Sequence, residues 1–326
     1  MPPPKNDGWP ETPPIGSLYC LLPLAKKGEA MKKADKKMWA LSRKNAWVGR
    51  AFLAPLMLGC MVFYAVPLTM VLWYSLTSGM GASRKFVWFL QYEKMLDNDI
   101  FRLAFGNTMA FLAIALPLIL LISFAIALLL KECAKRHAWL KSVILMPYIM
   151  PVVGTVLLIE QLFAATGLVN HALYTLGLPI VQWLQTEYAF VVVVLLYLWK
   201  NTGYSVVLLL SGLTAIPDDL YEVASIDGAK KLQQHRYITL PHMWYSFFFA
   251  TVFSLINAFK CFREIFLIGG THPHDSIYML LHFINNSFEK MSYPKLAVAS
   301  ILLLTLLVFV FAFLYRLVLR KEAYKE

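Results

Sequence analysis

Long apolar stretches alternate with shorter polar ones along this chain. Runs near 51–76, 108–130, 142–165, 189–213, 243–268 and 296–319 are each long enough to cross ~30 Å of hydrocarbon as a helix. The pattern predicts an all-α integral membrane protein with six transmembrane helices. One polar stretch between two of these runs stands out, LYEVASIDGAKKLQQHRYITLPHM, from Leu220 to Met243. Ile216-Pro217-Asp218-Asp219 reads as a turn into a helix, because proline fixes φ and a carboxylate can cap free N–H groups. Leu220–Ile226 has helical spacing, and Gly228 permits a sharp change of direction. A second helix, Ala229–Tyr237, is expected to stop near Pro241. Two short helices at an angle cannot bury themselves, so the stretch calls for a soluble partner with a groove.

Composition agrees with the membrane reading. The 326 residues are 59% hydrophobic and 15% charged, whereas a soluble domain is nearer half apolar and a quarter charged. The first forty residues lack the apolar core of a signal peptide, and Ile15–Ala25 is too short to span. The run 51–76 is therefore expected to act as an uncleaved anchor. Lys32, Lys33, Lys36, Lys37, Arg43 and Lys44, interleaved with Met38, Trp39 and Leu41, suggest a helix lying on an anionic leaflet.

The net charge of +11 could indicate nucleic acid, but its distribution points to membrane lipid. With the N-terminus inside, segments 1–50, 131–141, 214–244 and 316–326 hold 21 Lys and Arg, against 6 in the outside loops. This positive-inside bias puts both termini in the cytoplasm. The expected organisation is a basic tail over 1–50, a permease domain over 51–320 with its polar loop at 214–244, and a short tail over 321–326. Cys20, Cys60, Cys133 and Cys261 show no pair spacing, so neither disulfide nor metal site is expected. His272 and His274 share one short loop with no distant third ligand. No P-loop and no nucleophile set occurs, so the chain is not expected to be an enzyme itself.

The polar stretch resembles the cytoplasmic coupling motif of ABC-importer permeases of the carbohydrate, maltose-type family. That motif is written EAA, three residues, Gly, nine residues, Ile-x-Leu-Pro. Here Glu222-Val223-Ala224 stands for EAA, Gly228 has the right spacing, and Ile238-Thr239-Leu240-Pro241 closes it. IDGA, at Ile226–Ala229 and including Asp227, is similar to the carbohydrate branch. The segments Phe86–Phe111, Leu140–Val153, Leu196–Glu222 and Gly269–Pro273 are also similar to the family's larger permease. The first forty-five residues fall outside the resemblance.

The resemblance implies a type I importer core. It implies a second permease subunit in a heterodimer, two ATPase subunits beneath and an extracytoplasmic substrate-binding protein. It also implies an oligosaccharide substrate and a place in the bacterial inner membrane. No cofactor is expected on this chain; ATP and Mg belong to the ATPase subunits. Glu222 would face a basic residue of an ATPase, and Gly228 would set the angle of the coupling helices. In the family the sugar is held by the fourth and fifth spans. This places Tyr197, Trp199, Lys200, Asn201, Tyr204, Ser254, Asn257, Ala258 and Cys261 along the expected pathway. Aromatic rings can stack on sugars and hydroxyls can bond them, although Trp199 and Tyr204 could equally serve helix packing.

Basic residues inside the spans sharpen the expectation. A cation at mid-bilayer is penalised by ~2.5–3.5 kcal/mol or more unless it faces water or a partner. Lys260 and Glu264 are four apart and could pair on one helix face. Lys200 has no acidic neighbour at helical spacing. Lys200, Asn201, Ala258 and Cys261 depart from the maltose pattern and suggest an acidic oligosaccharide of the alginate or uronate type. Neutral sugars and glycerol phosphates remain alternative cargoes. A secondary transporter acting alone is a rival reading, but it would need both halves of a pathway in one chain.

Overall fold

The structure is a computed structural model that describes residues 46, 48–79, 84–133 and 139–322. The expected surface helix near Lys32–Lys44, and Cys20, lie outside the described residues. The chain divides into two compact units, residues 1–69 and 70–326.

Among the described residues, six helices are long and apolar enough to cross a membrane. In chain order, the first to sixth spans are Val48–Ser75, Asp99–Lys131, Val152–Thr175, Tyr188–Thr214, Trp244–Gly269 and Tyr293–Arg316. Between the first two lies a small antiparallel ribbon, Thr77–Ser78 with Lys85–Phe86. The second span extends from Asp99 and the sixth from Tyr293, earlier than hydropathy placed them.

The apolar run at 142–165 is not one helix. Trp139–Ile149 ends, and Val152–Phe163 begins after Pro151, whose ψ of 148° is extended. Proline cannot donate an N–H and disfavours the α region for the residue before it. The break therefore falls at Met150–Pro151, and the third span continues through Leu168–Thr175.

The fourth span is the centre of the larger unit. Ala189, Val192, Val193, Leu196, Tyr197, Asn201, Ser205, Leu209 and Leu213 are buried, and steps of three and four dominate their spacing. It packs against the second span, the fifth span and Trp139–Ile149. One core layer joins Phe111, Ala115 and Ile119 to Val193 and Tyr197 and to Leu255 and Ile265. Another joins Ala127 and Leu130 to Val206, Leu209, Met243 and Ala250. Lipid is as apolar as leucine, so close contact rather than expulsion of water holds such helices together. Gly203 shows this directly: a Cβ there would overlap the Ile144 carbonyl of Trp139–Ile149.

Polar pins fix the 269–289 segment to the second span. Asn107 donates to the Tyr278 carbonyl at 3.0 Å, and the Leu280 N–H donates to Thr108 Oγ1 at 2.9 Å. Asn286 donates to the Thr271 carbonyl at 2.8 Å.

Among the described residues, two helices contain a π turn, at Met61–Ala65 and at His235–Thr239. In the first, the Val66 N–H bonds the Met61 carbonyl; in the second, the Leu240 N–H bonds that of His235. Each turn ends two residues before a proline, Pro67 or Pro241. Widening the turn keeps the helix going where proline removes a donor and crowds the preceding turn. The helix expected to stop near Pro241 runs through this turn and ends at His242.

Candidate functional site

A cavity of about 260 Å³ lies where the fourth span, the fifth span and the break ahead of the third come together. The fourth span contributes Tyr197, Lys200 and Asn201, the end of Trp139–Ile149 contributes Tyr148, and the break before the third span contributes Met150 and Pro151. The fifth contributes Asn257, Lys260, Cys261, Arg263 and Glu264. That span is itself two helical pieces, Trp244–Lys260 and Phe262–Gly269, meeting at Cys261.

Lys200 Nζ donates to Glu264 Oε1 at 2.6 Å, and the two side chains are only 13% and 6% exposed. Glu264 thus turns to the neighbouring span instead of to Lys260 on its own helix. The reason is burial: an enclosed ammonium and an enclosed carboxylate each need neutralising, whereas Lys260 is exposed. Glu264 Oε2 is buried without a hydrogen-bond partner. Three cationic side chains and one carboxylate therefore share the cavity wall.

The remaining pathway candidates separate into wall and core. Asn201 and Asn257 line the cavity, with the Asn201 amide donating to the Tyr197 carbonyl at 2.9 Å. The Tyr197 hydroxyl donates to the Ser254 carbonyl at 2.7 Å, and the Ser205 and Ser254 hydroxyls are 3.2 Å apart. These bonds tie the fourth span to the fifth. Tyr204 stacks on Tyr148 with centroids 4.9 Å apart and meets Phe253 edge-on. Ala258 and Cys261 are buried in the helix core, Cys261 also reaching the cavity. Trp199 points away from this core and is 40% exposed. The Lys200–Glu264 contact could not be found from helical spacing, because its partners are 64 residues apart.

The polar loop forms a second site. The helix Asp219–Ile226 presents Glu222, Val223 and Asp227 to solvent, with Ala224 half-buried. Val223, Ile226 and Leu232 are 58%, 86% and 80% exposed, an apolar surface for a short element to leave uncovered. Gly228 ends the helix at φ +79°, and the Ala229 N–H bonds back to the Ala224 carbonyl at 2.9 Å. This is the left-handed helix cap that glycine favours. A Cβ at Gly228 would meet nothing within 4 Å, so the requirement is for the dihedral and not for space.

Asp218 makes no capping bond with its side chain. Its carboxylate lies 3.6 Å from Lys131 Nζ at the end of the second span. The Tyr221 and Thr239 hydroxyls are 3.0 Å apart, and His235 Nδ1 is 3.2 Å from Thr239 Oγ1. Gln234 donates to Ser225 Oγ at 2.9 Å. The two short helices are thus joined to each other, and Pro241 lies half-buried behind them.

His272 and His274 each face a neighbouring hydroxyl. The Nδ1 atoms lie 3.0 Å from Thr271 Oγ1 and from Ser276 Oγ.

Residues 133–323 match the family described as binding-protein-dependent transport system inner membrane component. The permease protein of a trehalose/maltose transport system of Thermococcus litoralis is 31% identical over 72% of this chain and 80% of its own length. The permease protein of a lactose transport system of Rhizobium radiobacter is 28% identical over 83% of this chain and 92% of its own. Among solved structures, a bacterial ABC transporter involved in the import of the acidic polysaccharide alginate aligns with a TM-score of 0.73. That match is 20% identical, over 87% of this chain and 99% of that one. A bacterial alginate ABC transporter in complex with an alginate pentasaccharide-bound periplasmic protein aligns with a TM-score of 0.69, at 21% identity, over 83% of this chain and 93% of that one.

Proposed function

The chain belongs to the family of binding-protein-dependent transport system inner membrane components, and on that premise we propose that it is one permease subunit of an ATP-driven sugar importer whose cargo is an acidic oligosaccharide. Relatives named for trehalose/maltose and lactose transport support the sugar class. The observation that carries the acidic cargo is the cavity wall, where Lys200, Lys260 and Arg263 outnumber Glu264. A cation excess in a partly enclosed, low-dielectric space favours carboxylates, although desolvation takes back part of the gain. The fold of the solved alginate transporters agrees with the same architecture.

In this reading the loop 214–244 faces the cytoplasm and docks an ATPase subunit. Closure of the two ATPase subunits moves the coupling helices, and the spans follow as a rigid body. Glu222 and the apolar face of Val223 and Ile226 meet the ATPase groove. A second permease completes the path, and a loaded extracytoplasmic binding protein delivers the sugar. Asn201 and Asn257 offer amides to sugar hydroxyls. Lys200 attracts a uronate carboxylate, and the stacked Tyr148–Tyr204 pair holds the fourth span against the helix Trp139–Ile149.

The test is stimulation of ATPase activity in the complete complex, with binding protein, by uronate oligomers and by neutral oligomers of equal length. Stronger stimulation by uronates is expected. Equal stimulation by neutral sugars would remove the acidic-cargo reading and leave a general sugar importer; stimulation by glycerol phosphate alone would replace the sugar.

A further inference from the structure

We propose that Glu264 is a built-in substitute for the cargo: its carboxylate occupies Lys200 while the path is empty and yields it to a carboxylate of the passing sugar. The proposal rests on the acidic-cargo reading and goes beyond it by assigning a partner exchange to specific atoms.

A lysine this enclosed requires a counter-ion, because an unpaired ammonium at low dielectric is strongly disfavoured. Glu264 supplies it with one oxygen only, Oε1 at 2.6 Å from Nζ. The other oxygen, Oε2, is buried in the cavity wall with no hydrogen-bond partner. A pair built purely for stability would be expected to satisfy both oxygens, since a buried ion pair holds best when the remaining lone pairs are bonded. This carboxylate is half-used.

The cavity also contains the alternative partner. Lys260 precedes Glu264 by four residues and lines the same cavity, a spacing that brings side chains together along a helix face. The pieces Trp244–Lys260 and Phe262–Gly269 meet between these two residues, so a small change at Cys261 alters their separation. A cargo carboxylate arriving at Lys200 would release Glu264 to Lys260. One internal ion pair then becomes two, one with the cargo and one within the fifth span, and neither lysine nor carboxylate is left bare. A neutral sugar cannot drive this exchange, because it would leave Lys200 without a counter-ion. The device therefore selects for charge as well as binding it.

The experiment uses the complete complex with its binding protein, uronate oligomers as probe, and the variants Glu264→Gln and Lys200→Glu/Glu264→Lys. The charge-reversed double variant is expected to assemble with thermal stability near the parent's, yet to lose uronate-stimulated ATPase activity by about tenfold or more, because the reversed pair now shows the cargo a carboxylate where the cation stood. Glu264→Gln removes the internal competitor and is expected to lower the half-stimulating uronate concentration severalfold. Recovery of uronate stimulation in the double variant would show the pair to be structural and overturn the proposal. If the double variant does not assemble, Glu264→Gln decides alone: an unchanged or raised half-stimulating concentration overturns it. Neutral oligomers stimulating the parent as strongly as uronates would instead defeat the acidic-cargo reading itself, before any variant is compared.

Discussion

Lys131 Nζ lies 4.3 Å from the centre of the Tyr221 ring and 3.6 Å from Asp218 Oδ1, so the end of the second span grips the start of the helix Asp219–Ile226 with one cation. Such a cation–π contact contributes about 0.5–2 kcal/mol. Lys131→Met is expected to lower the midpoint of thermal unfolding only slightly. It should reduce substrate-stimulated ATP hydrolysis more clearly, since it loosens the link between loop and span. Tyr221→Phe keeps the ring but loses the hydroxyl contact to Thr239, and a smaller loss is expected. Equal ATPase stimulation in the parent and Lys131→Met would show that this contact transmits nothing.

Gly228 sits at φ +79° with open space around it. Gly228→Val places a β-branched side chain in a left-handed conformation, at a penalty of about 1–3 kcal/mol. The expected result is an intact set of spans with poor substrate-stimulated ATP hydrolysis. Gly228→Asn, which tolerates that conformation better, should retain more activity. Glu222→Lys should weaken assembly with the ATPase by setting a cation against the expected basic partner, read by co-purification.

The membrane orientation is open to direct labelling. Single cysteines at Thr186 and Ser276, in a cysteine-free background, should react with an impermeant thiol reagent added outside sealed cells. A cysteine at Asp218 should not. Reaction at position 218 would invert or abolish the proposed topology.

His282 is fully buried against the rings of Phe262, Phe266 and Tyr278, and burial lowers its pKa from 6.5 to about 4. Its Nδ1 accepts the Met279 N–H at 3.3 Å, while Nε2 has no partner. The unfolded chain would bind a proton here at higher pH than the folded chain does. Stability associated with this residue is therefore complete above about pH 6.5 and falls as pH drops toward 4, by on the order of 3 kcal/mol. Thermal midpoints of the purified complex between pH 4 and 7 should follow this course, and His282→Gln should flatten it. An equally steep dependence in the variant would place the titration elsewhere.

Hydropathy located all six spans because lipid demands a long apolar helix for each crossing. It misread their joints. The break at Met150–Pro151 was carried by a residue that hydropathy scores as unremarkable, although proline chemistry signals it. The turn at Gly228 was legible because a positive φ leaves its mark as glycine at a fixed spacing. The partner of Lys200 was not legible. Within one helix, periodicity connects residues three or four apart, but Glu264 comes from another span and is brought close only by packing. Trp199 was not placed by its type alone. Its type suggested a sugar platform, yet the helix face on which it falls is not the one that Lys200 and Asn201 present to the cavity.

The π turns ahead of Pro67 and Pro241 each absorb one extra residue within a single turn. An α-helix advances about 100° per residue, and a π turn takes in one residue more than an α turn does. Deleting one residue from Met61–Ala65 or His235–Thr239 would restore ordinary winding with the two flanking pieces nearly in their present phase, because an α turn covers the same rotation with one residue fewer. In the second case a deletion between His235 and Thr239 would leave Thr239, which meets both Tyr221 and His235, three residues after His235 instead of four. A single deletion is thus tolerated in these turns without changing which way the rest of the helix faces, whereas the same deletion elsewhere in a helix would turn everything after it by about 100°.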